Sequence, residues 1–200
     1  MYGKLLILSA PSGAGKTSLA RALIEKVPNT HMSISHTTRN CRIGEQHGVD
    51  YFFVNDAEFQ EMIENNQFLE YAKVYDRFYG TSRQNIEEML QNNINVLLDV
   101  DWQGARAVKS LMSEAISVSI VPPSRQELEK RLRNRGRDPE AVIEKRMRQA
   151  ESEMSHCHEA DHIILNDNFD FALQDLQYVL QGQTEKVRTL PIDLDSLIKA

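Results

Sequence analysis

The chain has 200 residues, 41% of them hydrophobic and 26% charged, with a net charge of −6. That length supports a core without staples, and the acidic balance leaves no electrostatic footprint for nucleic acid or an anionic membrane surface. Cys41 and Cys157 lie far apart and read as free thiols of a reducing compartment, and no Cys/His spacing suggests zinc.

The first predicted strand is LLILSA, residues 5–10, a short apolar run that ends at Pro11. An amphipathic helix follows over 16–27, with apolar residues at Leu19, Leu23, Ile24 and Val27. Between them stands Ala10-Pro11-Ser12-Gly13-Ala14-Gly15-Lys16-Thr17, which differs from the P-loop pattern by one methyl at its first position. Glycines let successive N–H groups point into a nest, and the helix behind adds its positive end. Ser12, Gly13, Ala14, Gly15, Lys16, Thr17 and Ser18 are therefore candidate ATP-binding residues. Lys16 would reach the β- and γ-phosphates, and the Thr17 hydroxyl would ligate Mg²⁺.

Residues 32–82 break the strand–helix rhythm. MSISHTT, DYFFVN, FLEYAKVY and RFYGTS are strand-like, with one helix expected near 56–66 and Asp56 as its N-cap. This is the pattern of a small mixed lobe inserted between core elements. The core rhythm then resumes: a helix at 84–92, a strand at 96–101, a helix at 103–112 and a strand at 116–121. In VLLDVD, Asp99 and Asp101 alternate on one face near the strand's end, where a Walker B acid holds Mg²⁺. Capping of the next helix is the other reading of these acids.

Helices are expected at 124–135 and 139–154, started by Ser124 with Glu127 and by Asp138-Pro139. From Arg125 to Arg148 there are nine Lys or Arg against five Asp or Glu. That excess is either a solvated charged surface or a set of phosphate forks. His156-Cys157-His158 reads as surface residues, since neighbouring helical side chains diverge. HIILN, 162–166, is the last strand signal, and 169–181 the last helix. Alternating strands and helices imply an α/β fold with a mostly parallel sheet and its ligands at the strand C-termini. The start of the chain lacks a signal peptide's pattern and no apolar run approaches ~20 residues, so no membrane span and a cytoplasmic site are expected.

Loop and acids together say nucleoside triphosphate, Mg²⁺ and phosphoryl transfer. No catalytic base stands beside the loop, and an acceptor that is already a phosphate needs none. With SAPSGAGKTSL, SHTTRNCRIGEQHGVDYFFV, FLEYA, FYGTS, LLDVDWQGA, VPPS, RLRNRG and ILND in this order, the chain resembles the guanylate kinases over nearly its full length. Cys41 departs from the Pro common at its position.

The resemblance implies a P-loop three-layer parallel sheet core (1–34, 83–123 and 156–200), an inserted mixed α+β GMP-binding lobe (35–82) and a helical lid (124–155). It implies ATP-dependent phosphorylation of GMP and dGMP. Ser35, Arg39, Arg42, Tyr51 and Tyr79 would hold the GMP phosphate, and Glu70 and Thr81 would read guanine. Asp99 and Asp101 would serve the Mg²⁺ and acceptor-ribose region, Asn166 would lie near adenine, and Arg131, Arg135 and Arg146 would act on the transferring phosphate. From the residues alone, Tyr51 and Tyr79 read equally as core aromatics, and Glu70 is not distinguished from Glu45 or Glu58.

Three rival readings fit the residues less well. A guanylate-kinase-like module that binds phosphorylated peptides would lack a working ATP loop. A kinase of another phosphorylated small molecule is opposed by Glu70 and Thr81. A P-loop hydrolase has no use for a Tyr/Arg acceptor lobe. The tail, 189–200, would pack on the core or on another subunit, which leaves a homo-oligomer open.

Overall fold

A computed structural model describes residues 2–74, 76–134 and 139–189. The expectations for Arg135, Asp138 and nearly all of the tail fall outside the described residues.

The core sheet is parallel, in the order β2 (Thr30–Met32), β7 (Asn95–Asp99), β1 (Leu5–Ser9), β8 (Ile116–Val121), β9 (His162–Leu165). Strand β1 is apolar from Leu5 to Leu8 because both its faces are buried there. Leu6 and Leu8 pack with α1 (Lys16–Lys26) and α7 (Phe169–Gln181), through Leu19, Leu23, Leu173 and Leu176. Leu5 and Ile7 point the other way, toward α3 (Arg83–Gln91) and α4 (Trp102–Leu111), through Ile86, Leu90 and Val108. Crossovers diverge on either side of β1, so the loop at its C-terminal end lies at the switch point of the sheet, where α/β proteins bind ligands.

One core strand is absent from the sequence expectation. MSISHTT was expected as a single lobe strand. It is split instead, with Met32 ending core strand β2 and His36–Thr37 forming β3 of a second sheet. β2 is a three-residue edge strand with only one buried position, Thr30, so no apolar run announces it.

The second sheet has the order β4 (Phe52–Phe53), β3, β6 (Arg77–Ser82), β5 (Phe68–Val74). Helix α2 (Asp56–Glu64) closes it, with Phe59 stacked on Phe68 at 4.5 Å and on Phe78 at 5.3 Å. Its N-cap is Asn55 rather than Asp56, in a full capping box with Glu58. Asn55 has the extended backbone a cap needs, and Asp56 sits in the first turn.

Helices α5 (Arg125–Asn134) and α6 (Glu140–Ser155) share a small core of their own: Leu128, Leu132, Ile143, Met147, Ala150 and Met154. Ser124 caps α5, its hydroxyl accepting from Glu127 N at 3.1 Å, while Pro139 takes the N-cap position of α6 rather than its first turn. Among the described residues no helix is long and apolar enough to cross a membrane. The expectation for His156-Cys157-His158 is corrected: Cys157 is 3% exposed, packed with Val121 and Leu165, because the helix ends at Ser155 and a 3₁₀ turn carries the chain into the core.

Candidate active site

Two clefts open at the C-terminal edge of the core sheet and share one wall. The first, about 500 Å³, is lined by the loop residues Ser12, Gly13, Gly15, Lys16 and Thr17, and by Gln149, Ser152 and Glu153 of α6. Gly13 and Gly15 have φ of 96° and 100°, the left-handed region that admits glycine without strain. Helix α1 starts at Lys16 with no side-chain cap and no acid in its first turn, so its free N–H groups suit an anion.

The loop is braced from behind. Ala14 is buried, its N–H donates to Pro11 O at 3.0 Å, and its carbonyl accepts from Asn166 Nδ2 at 2.6 Å. Arg131 Nη2 donates in turn to the Asn166 carbonyl at 3.1 Å, and Arg131 Nε to Glu127 at 3.1 Å. A Cβ on Gly13 would lie 3.0–3.1 Å from Leu128 and Leu132, so α5 packs directly on the loop.

The second cleft, about 550 Å³, lies between the core sheet and the lobe, and Ser35, Tyr51, Glu70 and Tyr79 line it. Lys16, Asp101 and Glu153 line both clefts. Lys16 Nζ lies 2.5 Å from Asp99 Oδ1 and 3.3 Å from Val100 O. Asp101 has left the strand and caps α4, its Oδ1 accepting from Gly104 N at 2.8 Å. The expectation of two acids on one strand face is thus corrected: β7 ends at Asp99, and the helix claims Asp101.

Glu70 Oε1 accepts from the Thr81 hydroxyl at 2.6 Å. Burial pushes the Glu70 carboxyl above the usual carboxylate range; the Thr81 hydrogen bond opposes this, and the Asp101 charge adds to it. Burial and then the Asp101 charge also raise Glu153, against Lys16, the Trp102 amide and His156. Arg39 makes a bidentate pair with Glu45 at 2.9 and 2.8 Å and lies 5.3 Å from the centre of the Tyr51 ring. Glu45 also accepts from Arg42 N at 2.8 Å, and the Arg39 guanidinium holds its carboxyl below the usual range.

A paired-cleft kinase geometry on a P-loop core agrees with what the chain is similar to. The guanylate kinase family profile matches residues 2–183. The chain belongs to the guanylate kinase family. The guanylate kinase of Escherichia coli (strain K12) is 50% identical over 198 residues, 98% of this chain and 96% of that protein. That of Photorhabdus laumondii is 51% identical over 185 residues, 92% and 89% of the two chains. The solved guanylate kinase structure from Anaplasma phagocytophilum superposes with a TM-score of 0.69 at 33% identity, covering 92% of this chain and 88% of that one.

Of the residues singled out from the guanylate kinase resemblance, Ser35, Tyr51, Glu70, Tyr79, Asp99 and Asp101 meet in the lobe-side cleft. Thr81 is buried behind Glu70, Arg39 stands over Tyr51 paired with Glu45, and Arg42 is exposed. Ser18 is exposed on α1 outside both cleft linings. The Asn166 amide is buried against the loop rather than facing open space. Arg146 is half-buried on α6, three and seven residues before Gln149 and Glu153, and so on their side of the helix. Glu153 was missed. Its spacing from Arg146, two helical turns, is the signal that would have found it.

Proposed function

We propose that the chain phosphorylates GMP, and dGMP with it, at the expense of ATP, with ATP in the loop cleft and the acceptor in the lobe-side cleft. The observation that carries this reading is the shared wall: Lys16, Asp101 and Glu153 belong to both clefts, so phosphates bound on either side would meet at the same side chains. Division into a core (1–34, 83–123, 156–200), a GMP-binding lobe (35–82) and a lid (124–155) is supported by the separate second sheet and the separate α5–α6 core.

The lobe-side cleft is rich in acceptors, with Asp50, Glu70, Asp99, Asp101 and Glu153 on its wall. Guanine presents N1–H and a 2-amino group, both donors, and Glu70 held by Thr81 is suited to accept from them. Adenine offers a bare N1 and would leave the carboxylate unpaired, which costs ~1–3 kcal/mol or more for a charged group. Ser35, Tyr51 and Tyr79, with Arg39 over Tyr51, would hold the GMP phosphate together with the exposed Arg42. A dianion there competes for the Arg39 fork with Glu45.

The donors near the loop fit Mg²⁺. Thr17 lines the loop cleft and Asp99 the lobe-side cleft, on either side of Lys16; both are hard oxygen ligands, and Mg²⁺ usually takes one or two protein ligands besides phosphates and water. When bound it would supply positive charge against the phosphates. The chain's own residues do the rest. Lys16, released from Asp99, would follow the β- and γ-phosphates. The acceptor is ionised at neutral pH, so no base is required. Arg146, and Arg135 beyond the described residues, would stabilise the spreading charge as the lid excludes water, and Arg131 would join them on leaving Glu127 and the Asn166 carbonyl.

Two free thiols, Cys41 and Cys157, support a cytoplasmic setting. A phosphotransfer assay of ATP against GMP, dGMP, AMP, CMP and UMP tests the reading. GDP and dGDP should form far faster than the other products.

A further inference from the structure

His156-Cys157-His158 has no part in the chemistry above, yet His156 sits among aromatic and ionic contacts. Its ring stacks on Trp102 with centroids 3.7 Å apart and planes 16° off parallel. Arg106 lies over the same indole at 4.5 Å. Arg106 is bidentate to Glu159, both contacts 2.5 Å, and His156 Nδ1 is 2.7 Å from Glu159 Oε1. Three residues before His156, Glu153 lines the loop cleft beside Trp102. These contacts tie the last turn of α6 to the first turns of α4, whose N-cap is Asp101. Up to Met154, the buried side of α6 packs instead with Leu128 and Leu132 of α5.

We propose that the Trp102–His156 stack, clamped by Arg106 and Glu159, is the fixed pivot of the lid, and that His156 is a positioning residue for the reaction. The inference rests on reading 124–155 as a lid that carries Arg146 to the transferring phosphate. Arg146 lies ten residues from His156 along one helix, about 15 Å at ~1.5 Å per residue, so a tilt of ~10° at the pivot moves it by ~2.6 Å. Misplacement by ~1 Å of a group that acts on the transition state costs ~100-fold in rate. A loose pivot therefore lowers kcat while leaving the two binding clefts formed. The surrounding design is consistent: the stack is aromatic, the clamp ionic, and both flank Trp102, which itself lines the loop cleft.

The test compares His156→Ala, which deletes the stack, with His156→Phe, which keeps a ring there, each alone and combined with Arg146→Ala. Expected for His156→Ala is a kcat loss of at least ~10-fold with KM for GMP and ATP within ~3-fold, and recovery of most of that kcat in His156→Phe. In the Arg146→Ala background, His156→Ala should add under ~3-fold, since a pivot acts through the arginine it positions. Arg106→Gln carries the same test on an exposed side chain that leaves the apolar core intact; it should lower kcat in the same direction, and a melting curve checks folding. Normal kcat in both His156→Ala and Arg106→Gln overturns the pivot. So does equal loss in the Ala and Phe variants, or a full His156→Ala effect on top of Arg146→Ala. If Arg146→Ala alone has normal kcat, the lid reading fails and takes the pivot with it. A normal loss in Arg146→Ala beside a silent His156→Ala removes the pivot alone.

Discussion

Lys16 and Asp99 neutralise each other across the wall between the two clefts, Nζ to Oδ1 at 2.5 Å. The one lysine of the phosphate loop is thus paired with a carboxylate, and substrate phosphates would compete for it. Two groups that act in the same step are expected to respond non-additively to mutation.

Lys16→Met is expected to lower kcat by ~10³-fold or more, the scale of a lost cation on the transferring group, with an unchanged melting temperature. Asp99→Asn frees the lysine but weakens the Mg²⁺ site, so the requirement for Mg²⁺ should shift to higher concentration. Steady-state kinetics at varied Mg²⁺ separates the two. Full activity in a folded Lys16→Met removes the loop from the mechanism.

Glu70→Gln leaves one acceptor oxygen and turns an N–H₂ toward the guanine donors. Its kcat/KM for GMP should fall by ~10–100-fold, while that for AMP changes by less, so the preference narrows. Paired kcat/KM values for GMP and AMP are the check. An unchanged preference means the base is read elsewhere.

Arg146 and Arg133 are both on the lid helices but are differently employed. Arg133 is exposed and bridges Glu129 at 2.7 Å and Glu140 at 2.6 Å, tying α5 to α6. Arg146→Ala is expected to lower kcat by at least ~100-fold with little change in calorimetric GMP affinity, whereas Arg133→Ala should be mild. Equal behaviour of the two makes the arginine excess a charged surface.

His36 gives the lobe a pH-dependent stability. It is 9% exposed, stacked on Phe52 at 4.7 Å, and among the described residues its Nδ1 has no hydrogen-bond partner. Burial, and then the neighbouring His47, lower its pKa below the ordinary 6.5. The unfolded chain therefore takes up this proton first. The contribution to stability is fully present above about pH 6.5 and is lost as pH falls toward the folded-state value. His36→Phe should flatten the melting temperature between pH 7.5 and 5.5 relative to the unmutated chain. An equal slope in both assigns the acid sensitivity to other groups.

The core strands and the loop were legible because each obeys a local rule. β1, β7, β8 and β9 are apolar runs, and the loop is a backbone pattern with a lysine attached. Strand β2 was not legible, since a three-residue polar edge strand is defined by its pairing with β7 and not by its own side chains. Asp101 looked like a strand acid because period two continues through it; only the start of α4 decides that it caps. The Arg39–Glu45 pair, the brace from Asn166 to Ala14 and the Trp102–His156 stack are tertiary, between groups whose individual identities carry no spacing signal. Glu153 lies 52 residues beyond Asp101 in the numbering, and only folding brings it to the shared wall.

The central claim is direct transfer between two clefts that share Lys16, and phosphorus NMR of the purified chain with MgATP and GMP tests it most directly. ADP and GDP should appear in equal amounts, with inorganic phosphate negligible, and both should vanish in Lys16→Met. Release of inorganic phosphate without GDP, or transfer to AMP at the rate of transfer to GMP, would contradict it.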